Sequence, residues 1–197
     1  MLLGEIADIK TGLVLSRKKA EIEYTAKATY KLLSLKNISE DGFLENDSFE
    51  EFVSNDELED HYFTKEGDVL MRLSQPYTAV CIDKEYSGLL IPSYFAIIKV
   101  DQSKVMPRYI AWYLNTWNVK KELERSQAGS RIPSTNQHVL KTIPIIAASL
   151  SKQKALIELY QLHQKEKRLY KKLIEEKELL FQGIAQQILS GKNQEEK

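Results

Sequence analysis

The sequence predicts an α+β fold: a globular head with a mixed or antiparallel sheet, followed by a long C-terminal helix of the coiled-coil type. In the head, short apolar runs alternate with turn residues instead of repeating as strand–helix–strand units. Residues 151–190 contain no proline and no glycine before Gly183, and their apolar residues recur at helical spacing. A helix of about 40 residues is about 60 Å long, so we expect it to project from the head. The expected domains are residues 1–148 and 149–197.

The composition suits one globular domain with an extension. Hydrophobic residues make up 43% of the 197 positions, and 28 basic residues balance 28 acidic ones. The single cysteine, Cys81, excludes a disulfide within the chain, which fits a reducing cytoplasm. The first residues do not resemble a secretory leader, and no apolar run has the ~18 residues of a membrane span. We therefore expect a cytoplasmic protein without a membrane segment.

The strands of the head are predicted from apolar runs that turn residues separate. Residues 2–9 fit either a short helix or a strand, and Asp41-Gly42 is typical of a hairpin turn. Residues 50–59, most of them acidic or polar, are expected to be exposed. The expected strands are residues 29–35, 69–73, 78–83, 89–100 and 143–146.

Two helices are predicted in the second half of the head. Residues 104–127 form the longer one, because Pro107 suits a first helical turn and an apolar stripe follows it. Trp112 and Trp117 belong to this helix, and we expect them in the core rather than as groups that stack on bases. A short helical turn is expected at residues 138–142.

The long helix carries an apolar seam that is imperfect for a two-stranded coiled coil. Glu166, Glu176 and Gly183 interrupt the heptad positions that leucine otherwise occupies. Such a seam suits a short antiparallel pair that also contacts another protein surface, since an exposed apolar stripe needs a partner. The candidate dimer and partner residues are Leu159, Leu162, Leu169, Leu173, Leu180, Phe181, Ile184 and Ile188.

Charge is unevenly distributed along the chain. Residues 40–60 include ten acidic residues and no basic one, whereas the rest of the head is basic. A basic surface can therefore coexist with an acidic one at zero net charge, which leaves nucleic-acid binding open. The sequence leaves open whether the acidic stretch faces a protein partner or solvent.

The sequence signatures of an enzyme active site are missing. There is no phosphate-binding glycine loop, no dinucleotide-binding glycine turn and no nucleophile elbow. His61, His138 and His163 are far apart and form no zinc motif, and the apolar run around Cys81 favours a core position. We therefore expect no catalytic residue, no metal site and no bound cofactor in this chain.

Three groups of polar residues are candidates for contacts with DNA. The loop 129–137 offers side chains that suit phosphates and base edges, or that cap the neighbouring backbone. Arg17, Lys18 and Lys19 suit backbone phosphate, but they are equally compatible with a solvated surface. Arg72 lies at a strand end near Gln75 and Tyr77, where a salt bridge to the acidic stretch explains it equally well.

Six segments carry a resemblance to a known family through their order and spacing. They are residues 3–12, 30–38, 66–72, 107–110, 129–136 and, before the long helix, 143–145. Together they resemble one half of the specificity (S) subunit of type I restriction–modification enzymes, over nearly the whole chain. The resemblance implies a target recognition domain followed by a conserved long helix. A complete S subunit has two such units.

Under this resemblance the chain restores the missing half by homodimerisation, through an antiparallel pair of its helices. The two heads would then read a palindromic, interrupted site in double-stranded DNA. Catalysis would belong to a methyltransferase (M) subunit, which binds S-adenosylmethionine, and to a restriction (R) subunit where the system has one. The residues assigned to DNA are Thr11, Arg17, Lys18, Lys19, Lys36, Arg72, Gln75, Tyr77, Ser130, Arg131, Ser134, Asn136 and Gln137.

Other functions remain open at this point. A coiled-coil adaptor would use the long helix without any DNA contact. A decoy inhibitor of a restriction–modification enzyme would bind M subunits without directing methylation. An enzyme with an unrecognised active site is the third alternative.

Overall fold

The computed structural model describes residues 1–20, 26–45, 48–126 and 134–191. Its contacts divide the chain into two compact units, Met1–Lys154 and Ala155–Lys197. The domain limits that we expect from the sequence, at residues 148 and 149, stay a prediction. The described elements are the strands β1 (Ala7–Thr11), β2 (Ala28–Leu32), β3 (Glu50–Ser54), β4 (Val69–Arg72), β5 (Ala79–Cys81) and β6 (Phe95–Val100), and the helices α1 (Pro107–Leu114), α2 (Trp117–Ser126), α3 (Gln137–Lys141) and α4 (Leu150–Gly191).

The head is built on a four-stranded antiparallel sheet with the strand order β1-β6-β4-β5. Ile98 of β6 is in register with Ile9 of β1 on one side and with Val69 of β4 on the other. Val69, Leu70 and Met71 are all buried, so both faces of β4 are covered. The antiparallel sheet and the long helix confirm the α+β fold that the sequence predicts.

A second, two-stranded sheet pairs β2 with β3, and β3 lies inside the acidic stretch. Phe52 and Ser54 of β3 are buried, whereas Glu50, Glu51 and Val53 are exposed. This alternation is that of a half-buried strand. The expectation that residues 50–59 are exposed is therefore only half right, because this strand also carries buried side chains between its exposed ones.

The single helix expected over residues 104–127 is two helices, α1 and α2, with Asn115 between them. Ala79 N donates to the side-chain oxygen of Asn115 (2.9 Å), and Asn115 Nδ2 donates to Ala79 O (2.7 Å). The amide thus pairs with β5 as a backbone peptide would. Trp117 opens α2 with 69% of its surface exposed, so the expected core position is wrong for it, whereas Trp112 is half-buried.

The strand expected at residues 143–146 is absent from the described structure. Ile143 O accepts a hydrogen bond from Leu3 N (2.9 Å), and Ile145 N donates to Met1 O (2.8 Å). Between them Pro144 forms only an isolated bridge. A proline has no N–H for a strand ladder, which keeps this pairing short. The short helix expected just before it is confirmed as α3.

Helix α4 confirms the long C-terminal helix. It has 42 residues, which corresponds to about 63 Å at the usual helical rise. The expected seam residues all have exposed side chains in this single chain; they are Leu159, Leu162, Leu169, Leu173, Leu180, Phe181, Ile184 and Ile188. Among the described helices, none combines the length and the apolar character that crossing a membrane requires.

Candidate nucleic-acid interface

The candidate residues Arg72 and Gln75 lie where β4 ends and the chain turns towards β5. The peptide between Gln75 and Pro76 is cis, and Tyr77 N donates a hydrogen bond to Ser74 O at 3.0 Å. Residues 74–77 therefore form a tight turn. The side chain of Gln75 is exposed on it. A turn held by a rigid hairpin is a suitable place for a contact residue.

The segment that leads into α3 lies against this turn. Ser134 and Ser74 form an isolated antiparallel bridge, and Thr135 N donates to Leu73 O at 2.7 Å. Ser134 is exposed, and Gln137, the first residue of α3, is half-buried. The structure thus brings together two groups of candidate residues that are far apart in the sequence.

Asn136 caps α3. Its side-chain oxygen accepts hydrogen bonds from His138 N (2.9 Å) and Val139 N (3.1 Å). Capping is one of the two roles that the sequence allows for this polar loop, and contact with DNA is the other. The side chain of Asn136 is exposed, so it is accessible to a ligand as well. The candidates Ser130 and Arg131 lie outside the described residues.

Tyr77 is a core residue and not a surface residue. Its side chain is fully buried, and its backbone adopts a φ of +51°. Burial raises the pKa of the phenol, and the hydroxyl has no hydrogen-bond partner among the described residues. A buried ring does not reach DNA in this conformation. The assignment of Tyr77 as a DNA contact is therefore corrected: it supports the turn from within.

Arg72 keeps unused hydrogen-bonding capacity. Its Nη2 donates to Gln75 O at 3.4 Å, and its Nε is buried without a partner in the described part of the chain. The salt bridge to the acidic stretch is not among its described contacts. Lys120 is close enough to Arg72 for their charges to interact. Burial lowers the pKa of Lys120, the negative charge of Glu40 opposes this shift, and the positive charge of Arg72 adds to it. The buried Nε does not reach a ligand in this conformation, whereas the exposed Nη2 end of the guanidinium suits phosphate or a guanine edge.

Two of the lysines assigned to DNA are paired with the acidic stretch. Lys18 Nζ lies 2.7 Å from Asp56 Oδ2, and Lys36 Nζ lies 2.6 Å from Glu50 Oε1. The hydrogen bond between Lys18 and Asp56 raises the pKa of the lysine and lowers the pKa of the carboxyl group. The acidic stretch thus partly neutralises lysines of the head itself, an outcome that the sequence leaves open.

The remaining candidates belong to other segments of the head. Arg17 and Lys19 are exposed, and Thr11 is half-buried at the end of β1. Within the described ranges, no hydrogen bond or ion pair joins them, or the two paired lysines, to the group around Arg72 and Ser134. The strand register nevertheless places Thr11 near this group: Thr11 is in register with Ala96 of β6, and Arg72 is in register with Phe95. Thr11 and Arg72 therefore lie at the same end of the four-stranded sheet.

No protein-family model matches the chain, and no curated protein matches it. Solved structures do match. A chain from a type I R-M system aligns with a TM-score of 0.66 and 13% identity, over 87% of this chain and 43% of that one. The HsdS subunit from Thermoanaerobacter tengcongensis aligns with a TM-score of 0.60 and 13% identity, over 88% and 43% of the two chains.

The S subunit of the type I restriction-modification system from M. genitalium also aligns, with a TM-score of 0.53 and 11% identity over 84% of this chain and 38% of that one. The fold is that of a type I specificity subunit. This confirms, at the level of the fold, the resemblance that the sequence motifs indicate. The chain spans less than half the length of these specificity-subunit structures.

Helix α2 adds residues to this S-subunit fold that sequence reasoning missed. Lys121 Nζ lies 4.2 Å from the centroid of the exposed Trp117 ring, a cation–π contact. Lys120 lies on the same helix near Arg72. The signal in the sequence was a pair of lysines three and four positions after a tryptophan, which the apolar stripe of the expected long helix concealed.

The described part of this S-subunit fold offers no metal site and no activated thiol. It contains no group of three or more His, Cys, Asp or Glu side chains suited to a metal ion. Cys81 borders an open cavity of about 440 Å³ together with Glu66, Asp83 and Arg108. Burial raises the pKa of Cys81 to about 12, so the thiol stays protonated at neutral pH and is a poor nucleophile.

Proposed function

We propose that this chain is a sequence-specific DNA-recognition subunit of a type I restriction–modification complex. The observation that carries the proposal is the bridge between Ser74 and Ser134, which gathers polar side chains from two loops at one end of a sheet with the S-subunit fold. Loops held on a rigid sheet suit contacts with base edges. The half-buried guanidinium of Arg72 lies at this turn and offers its outer nitrogens for such contacts.

Helix α4 supports homodimerisation and the docking of an M subunit. Exposed apolar residues occur as adjacent pairs at 169 and 170, at 173 and 174, and at 180 and 181. Neighbours in a helix lie about 100° apart around its axis, so this apolar face is wider than the seam of a two-stranded coiled coil. In the proposal a second copy of α4 covers one side of the face, and an M subunit covers the other.

The two-fold symmetry of such a dimer determines the kind of DNA site. A two-fold dimer presents the same recognition surface twice, so its two heads read identical half-sites in inverted orientation, separated by a spacer. In the proposal the M subunits bind S-adenosylmethionine, flip the target adenine out of the duplex and transfer the methyl group. An R subunit completes a system that also cleaves DNA. This chain binds no cofactor and carries no catalytic residue, and it acts in the cytoplasm.

The first experiment is the mass of the purified chain by sedimentation or light scattering, alone and mixed with its M subunit. We expect a dimer that recruits two M subunits and directs methylation to one palindromic, interrupted sequence, mapped on genomic DNA. A stable complex that methylates no specific sequence indicates a decoy inhibitor. A monomer that recruits no M subunit contradicts the proposal.

A coiled-coil adaptor without a DNA role is the second candidate function. The pairing of Lys18 with Asp56 and of Lys36 with Glu50 favours it, since paired lysines are less available to phosphate. The adaptor predicts no DNA binding that weakens with salt, whereas a protein that displaces counterions from DNA shows a steep salt dependence. Titration of the complex with duplex DNA at two salt concentrations separates the two functions.

A further inference from the structure

The side chain of Gln153 is fully buried in the first turn of α4, within the unit Met1–Lys154. Its Oε1 accepts a hydrogen bond from Met106 N at 2.8 Å. Its Nε2 donates to Ala148 O at 2.8 Å and to Lys104 O at 3.2 Å. One side chain therefore joins the segment before α4 to the segment before α1.

These three partners require an amide. Met106 immediately precedes α1 and offers an N–H, while Lys104 and Ala148 each offer a carbonyl oxygen. An ionised glutamate accepts hydrogen bonds but cannot donate them. Methionine has no donor, and its sulfur is only a weak acceptor. The three contacts are partly buried, and a backbone group shielded from water that loses its partner costs free energy. The contacts of Gln153 therefore favour a single position for the first turn of α4.

We propose that Gln153 is a positioning residue that restricts the spacer length between the two half-sites. The inference rests on the proposed function, in which two heads read one DNA molecule through a pair of α4 helices. Helix α4 continues from this turn to Gly191 without interruption, so a loosened first turn affects the whole helix. One added base pair displaces a half-site by about 3.4 Å along the DNA and about 35° around it. A loosened turn should therefore broaden the range of accepted spacers.

The test uses the full chain purified together with its M subunit. The substrates are duplexes with the mapped half-sites and the natural spacer, or a spacer shortened or lengthened by one base pair. Initial rates of methyl transfer from radiolabelled S-adenosylmethionine are measured for the wild type, Gln153→Ala and Gln153→Met. Methionine nearly keeps the length of the side chain without its amide, so this variant carries the test if the alanine variant does not fold. Lys152→Ala changes an exposed neighbour in the same turn and is the matched control.

We expect the ratio of the rate on the natural spacer to the rate on altered spacers to fall by about fivefold or more in the Gln153 variants, the lower end of typical coupling between sites. The Lys152→Ala ratio should equal that of the wild type. A folded Gln153→Met protein with the wild-type ratio overturns the positioning role and leaves the proposed function intact. Lower rates on every duplex at an unchanged ratio do the same, because a merely structural role does not alter spacer preference. A wild-type complex that methylates no duplex overturns the proposed function, and this inference with it.

Discussion

Ser74 and Ser134 form an antiparallel bridge that joins the turn after β4 to the segment before α3. The hydrogen bond from Thr135 N to Leu73 O, at 2.7 Å, lies directly beside it. Backbone pairing of this kind holds the two loops next to each other, so that a single ligand can contact side chains from both. The candidate interface is therefore defined by this contact more than by any single side chain.

Arg72→Ala should weaken binding to the mapped DNA site about 5- to 150-fold, since the loss of a good base contact costs about 1–3 kcal/mol. Binding to unrelated DNA should change much less. Fluorescence anisotropy of the complex with its M subunit, on both kinds of duplex, measures the two affinities. Lys84→Ala removes an exposed positive charge from a different loop and is the control. An unchanged ratio of specific to non-specific affinity in Arg72→Ala would contradict a base contact.

The double variant Leu173→Glu, Leu180→Glu should be monomeric. Both leucines are exposed in the single chain, so the charges leave its core intact but oppose burial of the helix against a second copy. Sedimentation velocity gives the mass. Lys171→Glu alters charge on a different side of α4 and should remain dimeric. A double variant that still sediments as a dimer would exclude this seam as the interface.

Asn115→Ala should destabilise the head by about 1–3 kcal/mol, because the buried N–H and C=O of Ala79 lose their partners. Denaturant unfolding of the chain, followed by circular dichroism, measures the change. Asn118→Ala removes an exposed amide three residues further along and should change stability by less than about 0.5 kcal/mol. Equal unfolding midpoints for the two variants would show that the pairing with Ala79 contributes little.

Asp56→Asn should destabilise the head at neutral pH and have little effect in acid. The ion pair with Lys18 lowers the pKa of Asp56 in the folded state, so its stabilising contribution is present above the unfolded pKa of about 3.9 and is lost as the pH falls through the folded pKa. The pKa of Lys18 is raised, so at the alkaline end the ion pair is lost only when the pH is high enough to deprotonate this lysine. Urea midpoints of the variant and the wild type, compared from about pH 3 to pH 8, should converge at the acid end. A constant difference across this range would contradict the assignment.

Much of the fold was predictable because its signals are local. The spacing of apolar residues in α4 and the runs at β4 and β6 reflect which faces are buried, and each is visible within one segment. Asn115 and Phe52 show where local signals fail. The apolar stripe continues across the break at Asn115, and two exposed glutamates directly precede Phe52. Neither the break nor β3 is therefore evident without the partners that they contact.

The sequence identifies several residues of the candidate site but does not show which of them lie close together in the fold. Polar side chains at 134–137 and Arg72 stand out by composition, but their proximity depends on a backbone bridge between distant segments. Burial is likewise a property of the whole fold, so the sequence assigns Tyr77 to DNA although its side chain lies in the core. The pairing of Lys18 with Asp56 required the same long-range information.

The sequence by itself determined the α+β class, the long apolar-faced helix and the resemblance to half of a specificity subunit, because periodicity and motif order are properties of the chain read in one dimension. Only the tertiary structure decided which loops meet, which lysines stay available for phosphate and which buried amide holds the first turn of α4. Those outcomes depend on contacts between residues far apart in sequence, and such contacts form only when the folded core brings the segments together.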